Sequence, residues 1–322
     1  MSETKSIRVS RIVKKLDSAL EAQNYYEAHQ IYRSIFYRYF GQQNYEELLE
    51  LLYKGVQYFI DYSQKIIVAD LTSLLVDVLE KTSPRDDHKD WIVKLGFVLR
   101  EIGPGVVERE ILLTKIIKWS SSVNNTEAKL GNPMVHKVIG QIMWLENNIE
   151  QAKHHFLLSK DGEGFAEMLV QMSITKAYRN EIDLIIAQVI LQQLCLKEIP
   201  TAQQTFNAYT KLHPEILGEQ PPYSLPLLNF LAFLLKLAKK SGKLESFHTL
   251  CFLYKRSTDR DPSYEKYLQK IGTLYFGAPT PHQPRSQGLF GDLMNQFFQG
   301  FANDEPSSST TLSAQNTFND LD

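Results

Sequence analysis

Three groups of residues in this chain have types that could support bond-making chemistry, and each fails on spacing. His154 and His155 are adjacent, with Glu150 one helical turn before. Neighbouring side chains on a helix point about 100° apart, so two adjacent imidazoles cannot hold one ion as an i,i+4 pair can. Glu150 and His154 do have that spacing but lack further ligands, so they read as ordinary surface residues and no metal is expected. Asp161-Gly162-Glu163-Gly164 is a fragment of a glycine pattern. A nucleotide loop needs a strand before it, whereas helical patterns flank this one, so it reads as a helix break. Cys195 and Cys251 lie far apart in apolar helical segments with no evident base partner, and read as reduced, buried small hydrophobes. No catalytic constellation and no cofactor site emerge, and an enzyme is not expected.

A fourth group carries binding chemistry. Read at the helical period, residues 24–40 form one helix with two different faces. Tyr25, Ala28, Tyr32, Ile35, Phe36 and Tyr39 make a packing stripe. Tyr26, His29, Gln30, Arg33 and Tyr37 gather on another face, mixing aromatic, cationic and amide groups as protein-binding surfaces do. The alternative for that second face is packing against the first helix or an inter-repeat groove. The first helix is also two-faced: Val9, Ile12, Leu16, Ala19 and Leu20 against Arg8, Arg11, Lys14 and Lys15. Those cations read either as a solvated face or as a basic patch continuous with Arg33. Residues 64–81 have the opposite charge, with Asp70, Asp77 and Glu80 sharing a polar stripe with Ser73, for which simple solvation is the plain reading.

The elements that must position these groups are all helical. Periodicity runs nearly unbroken through 8–22, 24–40, 44–62, 64–81, 87–101, 106–122, 133–147, 148–160, 163–178, 180–197, 200–212, 224–241, 243–256 and 262–276, with no convincing strand. Asn24-x-x-Glu27, Asn44-x-x-Glu47 and Asn148-x-x-Gln151 have the form of capping boxes. Links of two to five residues imply antiparallel neighbours. The expected fold is therefore all-α, an α-solenoid of antiparallel, tetratricopeptide-like helix pairs. The repeats show no strict 34-residue register. A polar stretch from Ser120 to Pro133 suggests two halves, 1–150 and 151–276. His213–Pro222 breaks the second half as a loop or a short hairpin.

After Gly277 the composition changes to four prolines, five acidic residues and Arg285 as the single Lys/Arg cation. Residues 277–322 are expected to be a mostly disordered acidic tail. The exception is an amphipathic segment, 289–301, which could dock back, bind a partner groove or, least in keeping with its charge, lie on a membrane. A formal net charge of −2 gives no general attraction to nucleic acid or anionic membrane. The N-terminus lacks a signal-peptide core, and the longest apolar stretch, Leu225 to Ala238, is interrupted and too short to span a bilayer. A cytosolic protein is expected, with no direct membrane insertion and an idle Asn124-Asn125-Thr126 sequon.

The run Asn24-Tyr25-Tyr26-Glu27-Ala28-His29-Gln30-x-Tyr32-Arg33 resembles the Golgi-to-ER traffic protein four family. So do Ala69-Asp70-Leu71, Lys118-Trp119-Ser120-Ser121, Asp161-Gly162-Glu163-Gly164, Pro226-Leu227-Leu228-Asn229-Phe230, Asp261-Pro262-x-Tyr264 and the helix end Ile271–Gly277. Gly288-Leu289-Phe290-Gly291-Asp292-Leu293 looks similar to the tails of animal members. The resemblance implies an α-solenoid adaptor in the guided-entry pathway for tail-anchored membrane proteins. Its N-terminal half would dock the targeting ATPase, and its C-terminal half a BAG-domain scaffold protein that works with a ubiquitin-like-domain protein. Carried over, Tyr26, His29, Gln30 and Arg33 would anchor the ATPase, joined by Tyr37, Arg11 and Lys15 from the surface reading. Asp70 would match an acidic position that regulates ATP turnover. Two rivals stand beside this. A tetratricopeptide-like co-chaperone needs inward Lys and Asn at repeat-fixed positions, which are not found. A helical scaffold subunit of a large cytosolic complex normally ends in a winged-helix module rather than an acidic tail.

Overall fold

The computed structural model describes residues 2–82, 88–123, 131–218 and 221–279. Among these there is no strand, and fifteen α-helices follow one another. The first six are α1 (Ser2–Glu21), α2 (Tyr25–Gly41), α3 (Tyr45–Asp61), α4 (Lys65–Lys81), α5 (His88–Ile102) and α6 (Val107–Val123). Next come α7 (Pro133–Leu145), α8 (Ile149–Leu158), α9 (Gly162–Lys176), α10 (Ile182–Cys195) and α11 (Ile199–Leu212). The series closes with α12 (Pro226–Lys239), α13 (Leu244–Leu253), α14 (Lys255–Thr258) and α15 (Ser263–Phe276). The helix expected over 243–256 divides at Tyr254, whose ψ of 12° or less in magnitude (φ −103°, ψ 11°) interrupts the helical path. A short 3-10 turn, Arg179–Glu181, precedes α10. No strand forms in the described part of 213–222, which excludes a hairpin there. Instead Asn229 on α12 holds Tyr223, accepting from its N–H and donating to its carbonyl, each at 2.8 Å.

One connector recurs. Gln23, Gln43, Ser63, Asn147, Lys197 and Ser241 all have positive φ, and in each case the next residue's N–H reaches back five residues to a helix carbonyl. This is the Schellman ending, which satisfies orphan carbonyls and reverses the chain in very few residues. It also revises the expected capping boxes. The backbone N–H of Asn24 is already bonded to Ala19, so Glu27 bonds instead to the Asn24 side-chain amide, at 2.8 Å. Asn44 makes no cap bond to the backbone and pairs only with Glu47. Gln23, Gln43 and Ser63 stand 20 residues apart, and α2, α3 and α4 are each 17 residues long. A 20-residue register therefore runs through the first helices, and the repeated Gln-Asn-Tyr-x-Glu at 23–27 and 43–47 is its sequence signal.

Helices pack on their sequence neighbours and also two places along: α2 on α4, α4 on α6, α3 on α5, α5 on α7, α9 on α11 and α10 on α12. That pattern is a solenoid, in which each pair buries its apolar faces on the next. Gly162 shows how tightly the stack closes. A Cβ there would lie 2.8 Å from the Thr201 carbonyl oxygen and 2.8 Å from the Thr205 nitrogen, so only glycine lets α9 approach α11. Asp161 caps α9 by accepting from the Gly164 N–H at 3.2 Å. The glycine pattern is thus a helix start and a packing contact, as the missing strand implied. At the far end α15 returns onto α10, with the hydroxyls of Tyr264 and Tyr275 donating to Leu184 and Leu194 carbonyls at 3.0 and 2.9 Å. Met1–Ala278 forms one unit. The tail and its expected helix 289–301 lie outside the described residues.

Candidate docking face

On α2 most of the packing stripe is buried as expected: Ala28, Tyr32, Ile35, Phe36 and Tyr39 lie in the core, while Tyr25, in the first turn, is only half-buried. The second face remains in solvent. Tyr26 is 75% exposed and Tyr37 63%, and Gln30 is exposed as well. Stable monomers do place single aromatic groups outside, but two on one face beside a guanidinium is the composition of a binding surface.

His29 and Arg33 are tied to α4. The Nε2 of His29 lies 2.7 Å from one oxygen of Asp70. Arg33 donates one nitrogen, Nη1, to both Asp70 oxygens, each at 3.2 Å. The Tyr37 hydroxyl and then Asp70 hold the Arg33 guanidinium above its ordinary basicity. The side chains of Arg33 and Asp70 are 38% and 29% exposed, so this is a surface cluster rather than a desolvated ion pair. The residues expected to anchor a partner and the residue expected to regulate it therefore form one bonded group. Sequence spacing alone did not join them.

The same construction repeats one helix further. Lys115 of α6 bonds Asp77 at 2.7 Å and donates to Ser73 at 2.8 Å. The acidic stripe of α4 is therefore not simply solvated: cations from both neighbouring helices neutralise Asp70 and Asp77, while Glu80 stays exposed. The partners are separated by about two 20-residue periods, the signal from which Lys115 might have been found. Ile66, second residue of α4, is exposed like Tyr26, second residue of α2. Lys15 is exposed on α1 and takes no part in the Asp70 cluster. The side chains of Arg8 and Arg11 lie outside the described residues.

Other candidates resolve differently. His154 and His155 are buried, not surface residues, because α8 lays this part of its surface against α7. The Nδ1 atoms of His155 and His136 are 2.8 Å apart, so one must donate and the other accept. Burial first, then neighbouring imidazoles, lowers the pKa of His154 to about 4 and of His155 to about 2. Among the described residues no set of three ligating side chains could hold a metal ion. Both cysteines are free; Cys195 is buried and Cys251 only half-buried. Burial raises both thiols to about 11, far from the range of a nucleophile. In the C-terminal half α12 is a core helix, burying Leu227, Leu228, Phe230, Leu231, Leu234 and Leu235. Exposed apolar groups there include Phe252, 78%, and Leu253, 70%, of α13, which buries only Phe247 and Leu250, together with Phe233 of α12 and Leu217 beyond α11. Among the described residues no helix is long and apolar enough to cross a membrane.

Comparison with known proteins adds a lineage to this geometry. The profile of the family described as Golgi to ER traffic protein 4 matches residues 42–298, a span that contains Asp70 and begins after the α2 face. The Golgi to ER traffic protein 4 homolog of Oryzias latipes is 40% identical over 316 residues, covering 95% of each chain. That of Homo sapiens is 40% identical over 286 residues, 89% of this chain and 86% of the relative. A crystal structure of Get4 from C. therm. superposes with a TM-score of 0.75 at 23% identity, covering 94% of this chain and 100% of that one. At that identity the likeness bears on the fold, and it is the solenoid described above.

Proposed function

The chain belongs to the Golgi to ER traffic protein 4 family, and from that premise we propose that it is a non-enzymatic cytosolic adaptor in the delivery of tail-anchored membrane proteins to the ER. Its N-terminal half, 1–150, docks the pathway's targeting ATPase. Its C-terminal half, 151–276, docks a BAG-domain scaffold protein that works with a ubiquitin-like-domain protein. The observation that carries this reading is the α2–α4 face, where exposed Tyr26 and Tyr37 flank a part-buried cluster of His29, Arg33 and Asp70. Aromatic anchors supply contact area at low entropy cost, and a guanidinium among them supplies charge recognition. Gln30 adds an exposed amide. Lys15, exposed on α1, is assigned to the same partner, and Arg11 joins it on sequence alone, its side chain lying outside the described residues. On the other half, α13 offers Phe252 and Leu253 to the scaffold protein, more exposed than Phe233 of α12, whose other large apolar side chains are mostly spent on the core.

The test is affinity for the targeting ATPase at two salt concentrations. Arg33→Gln should weaken binding severalfold, and Arg33→Glu by on the order of tenfold or more, with the losses shrinking at high salt. The melting temperature should barely move for Arg33→Gln, because solvent-reached ion pairs are worth roughly 1 kcal/mol or less, and should fall modestly for Arg33→Glu, whose carboxylate would face Asp70. Asp70→Lys should retain most binding and lose control of ATP turnover. Wild-type affinity for a folded Arg33→Glu chain would mean that the face is structural and the anchoring assignment fails.

A further inference from the structure

In the free chain Arg33 is already committed, but incompletely. Its Nη1 alone faces Asp70, shared between two oxygens at 3.2 Å each, while His29 makes the shorter 2.7 Å contact to the same carboxylate. A guanidinium pairs most strongly when two of its N–H groups meet two oxygens side by side, and Asp70 does not offer that. The remaining donors of Arg33 sit on a side chain 38% exposed, beside the uncharged Tyr37 hydroxyl, on the outward face. A partner carboxylate approaching from solvent can therefore make the better pair. The pair it displaces is only part-buried and still reached by solvent, so it is cheap to open.

Resting on the docking reading above, we infer that Asp70 is an internal competitor for Arg33, and that docking proceeds by ion-pair exchange with an acidic partner surface. The incoming carboxylate takes the guanidinium, and the Asp70 carboxylate, still held by His29, becomes available at the interface. Asp70 thus lowers the affinity of the anchor it touches, so removing its charge should strengthen binding rather than weaken it. A direct contact or a positioning role for Asp70 demands the opposite sign.

The experiment is a double-mutant cycle on full-length chain, titrated with the targeting ATPase at low and high salt, using wild type, Asp70→Asn, Arg33→Gln and the double variant. Asparagine keeps the shape and the hydrogen-bond acceptor, and circular dichroism and melting temperature confirm folding of each chain. Exchange predicts that Asp70→Asn tightens binding about two- to fivefold at low salt, that the gain shrinks at high salt, and that it vanishes in the Arg33→Gln background. If Arg33→Gln weakens binding while Asp70→Asn weakens it too or leaves it unchanged, exchange is wrong and the docking reading survives. If Arg33→Gln leaves affinity unchanged, the docking reading itself fails and exchange falls with it.

Discussion

At the scale of single residues, the histidines of α7 and α8 matter to stability rather than to chemistry. His154 and His155 titrate far below the ordinary imidazole because burial penalises the cation. The unfolded chain takes up protons on both once the pH falls below about 6.5, whereas the folded chain resists down to about 4 for His154. Their stabilising contribution is therefore complete above about 6.5 and is lost as the pH falls from there toward 4. Urea midpoints should drop between pH 7.5 and pH 5, and His154→Asn should flatten that slope. A midpoint independent of pH in this range would contradict neutral burial. Adjacency in sequence bears on chelation geometry only. It was silent on burial, because His154 and His155 became interior only when α7, with His136, closed over them.

At the scale of elements, the Schellman connectors carry an avoidable cost. The left-handed position is filled by Gln, Gln, Ser, Asn, Lys and Ser rather than glycine, although L-residues pay roughly 1–2 kcal/mol there. Gln43, at φ 59° and exposed, is the clean place to test this. Gln43→Gly should raise unfolding free energy by roughly 0.5 kcal/mol, since glycine's own entropy cost offsets part of the relief, and Gln43→Val should lower it by about 1 kcal/mol or more. Equal melting temperatures for the two variants would show that the connector carries no such strain. Helix positions and nearly all the breaks were legible in sequence, because periodicity and Asn or Asp caps are local signals. The split at Tyr254 was not, and the 20-residue register shows only when Gln23–Glu27 is set beside Gln43–Glu47.

For the whole molecule, the division into halves has to respect what crosses it. The α7–α8 pair is closely packed, and α7 also rests on α5. Arg109 of α6, 2% exposed, makes a two-pronged bond to Glu146 just past α7, at 3.0 and 2.7 Å. A fragment starting at 151 would strip α7 from α8 and uncover Phe156 and His155. One starting at 131 keeps the pair. Residues 131–279 should therefore unfold cooperatively and retain the scaffold protein, whereas 151–279 should lose helicity and solubility. Equal helicity per residue in the two fragments would refute this. Retention by an N-terminal fragment alone would overturn the two-ended adaptor.

The sequence by itself determined the all-helical solenoid, the buried stripe of α2 and the composition of its outward face. Each of these follows from residue type at a short, fixed spacing along one chain segment. Tertiary structure alone decided that His29 and Arg33 grip Asp70, that Lys115 grips Asp77, that two adjacent histidines are interior, and that α13 leaves Phe252 and Leu253 in solvent while α12 sends most of its apolar side chains to the core. All four depend on which helix lies beside which and at what offset. That is fixed by the summed packing of many side chains, such as the approach Gly162 allows, and not by any local pattern.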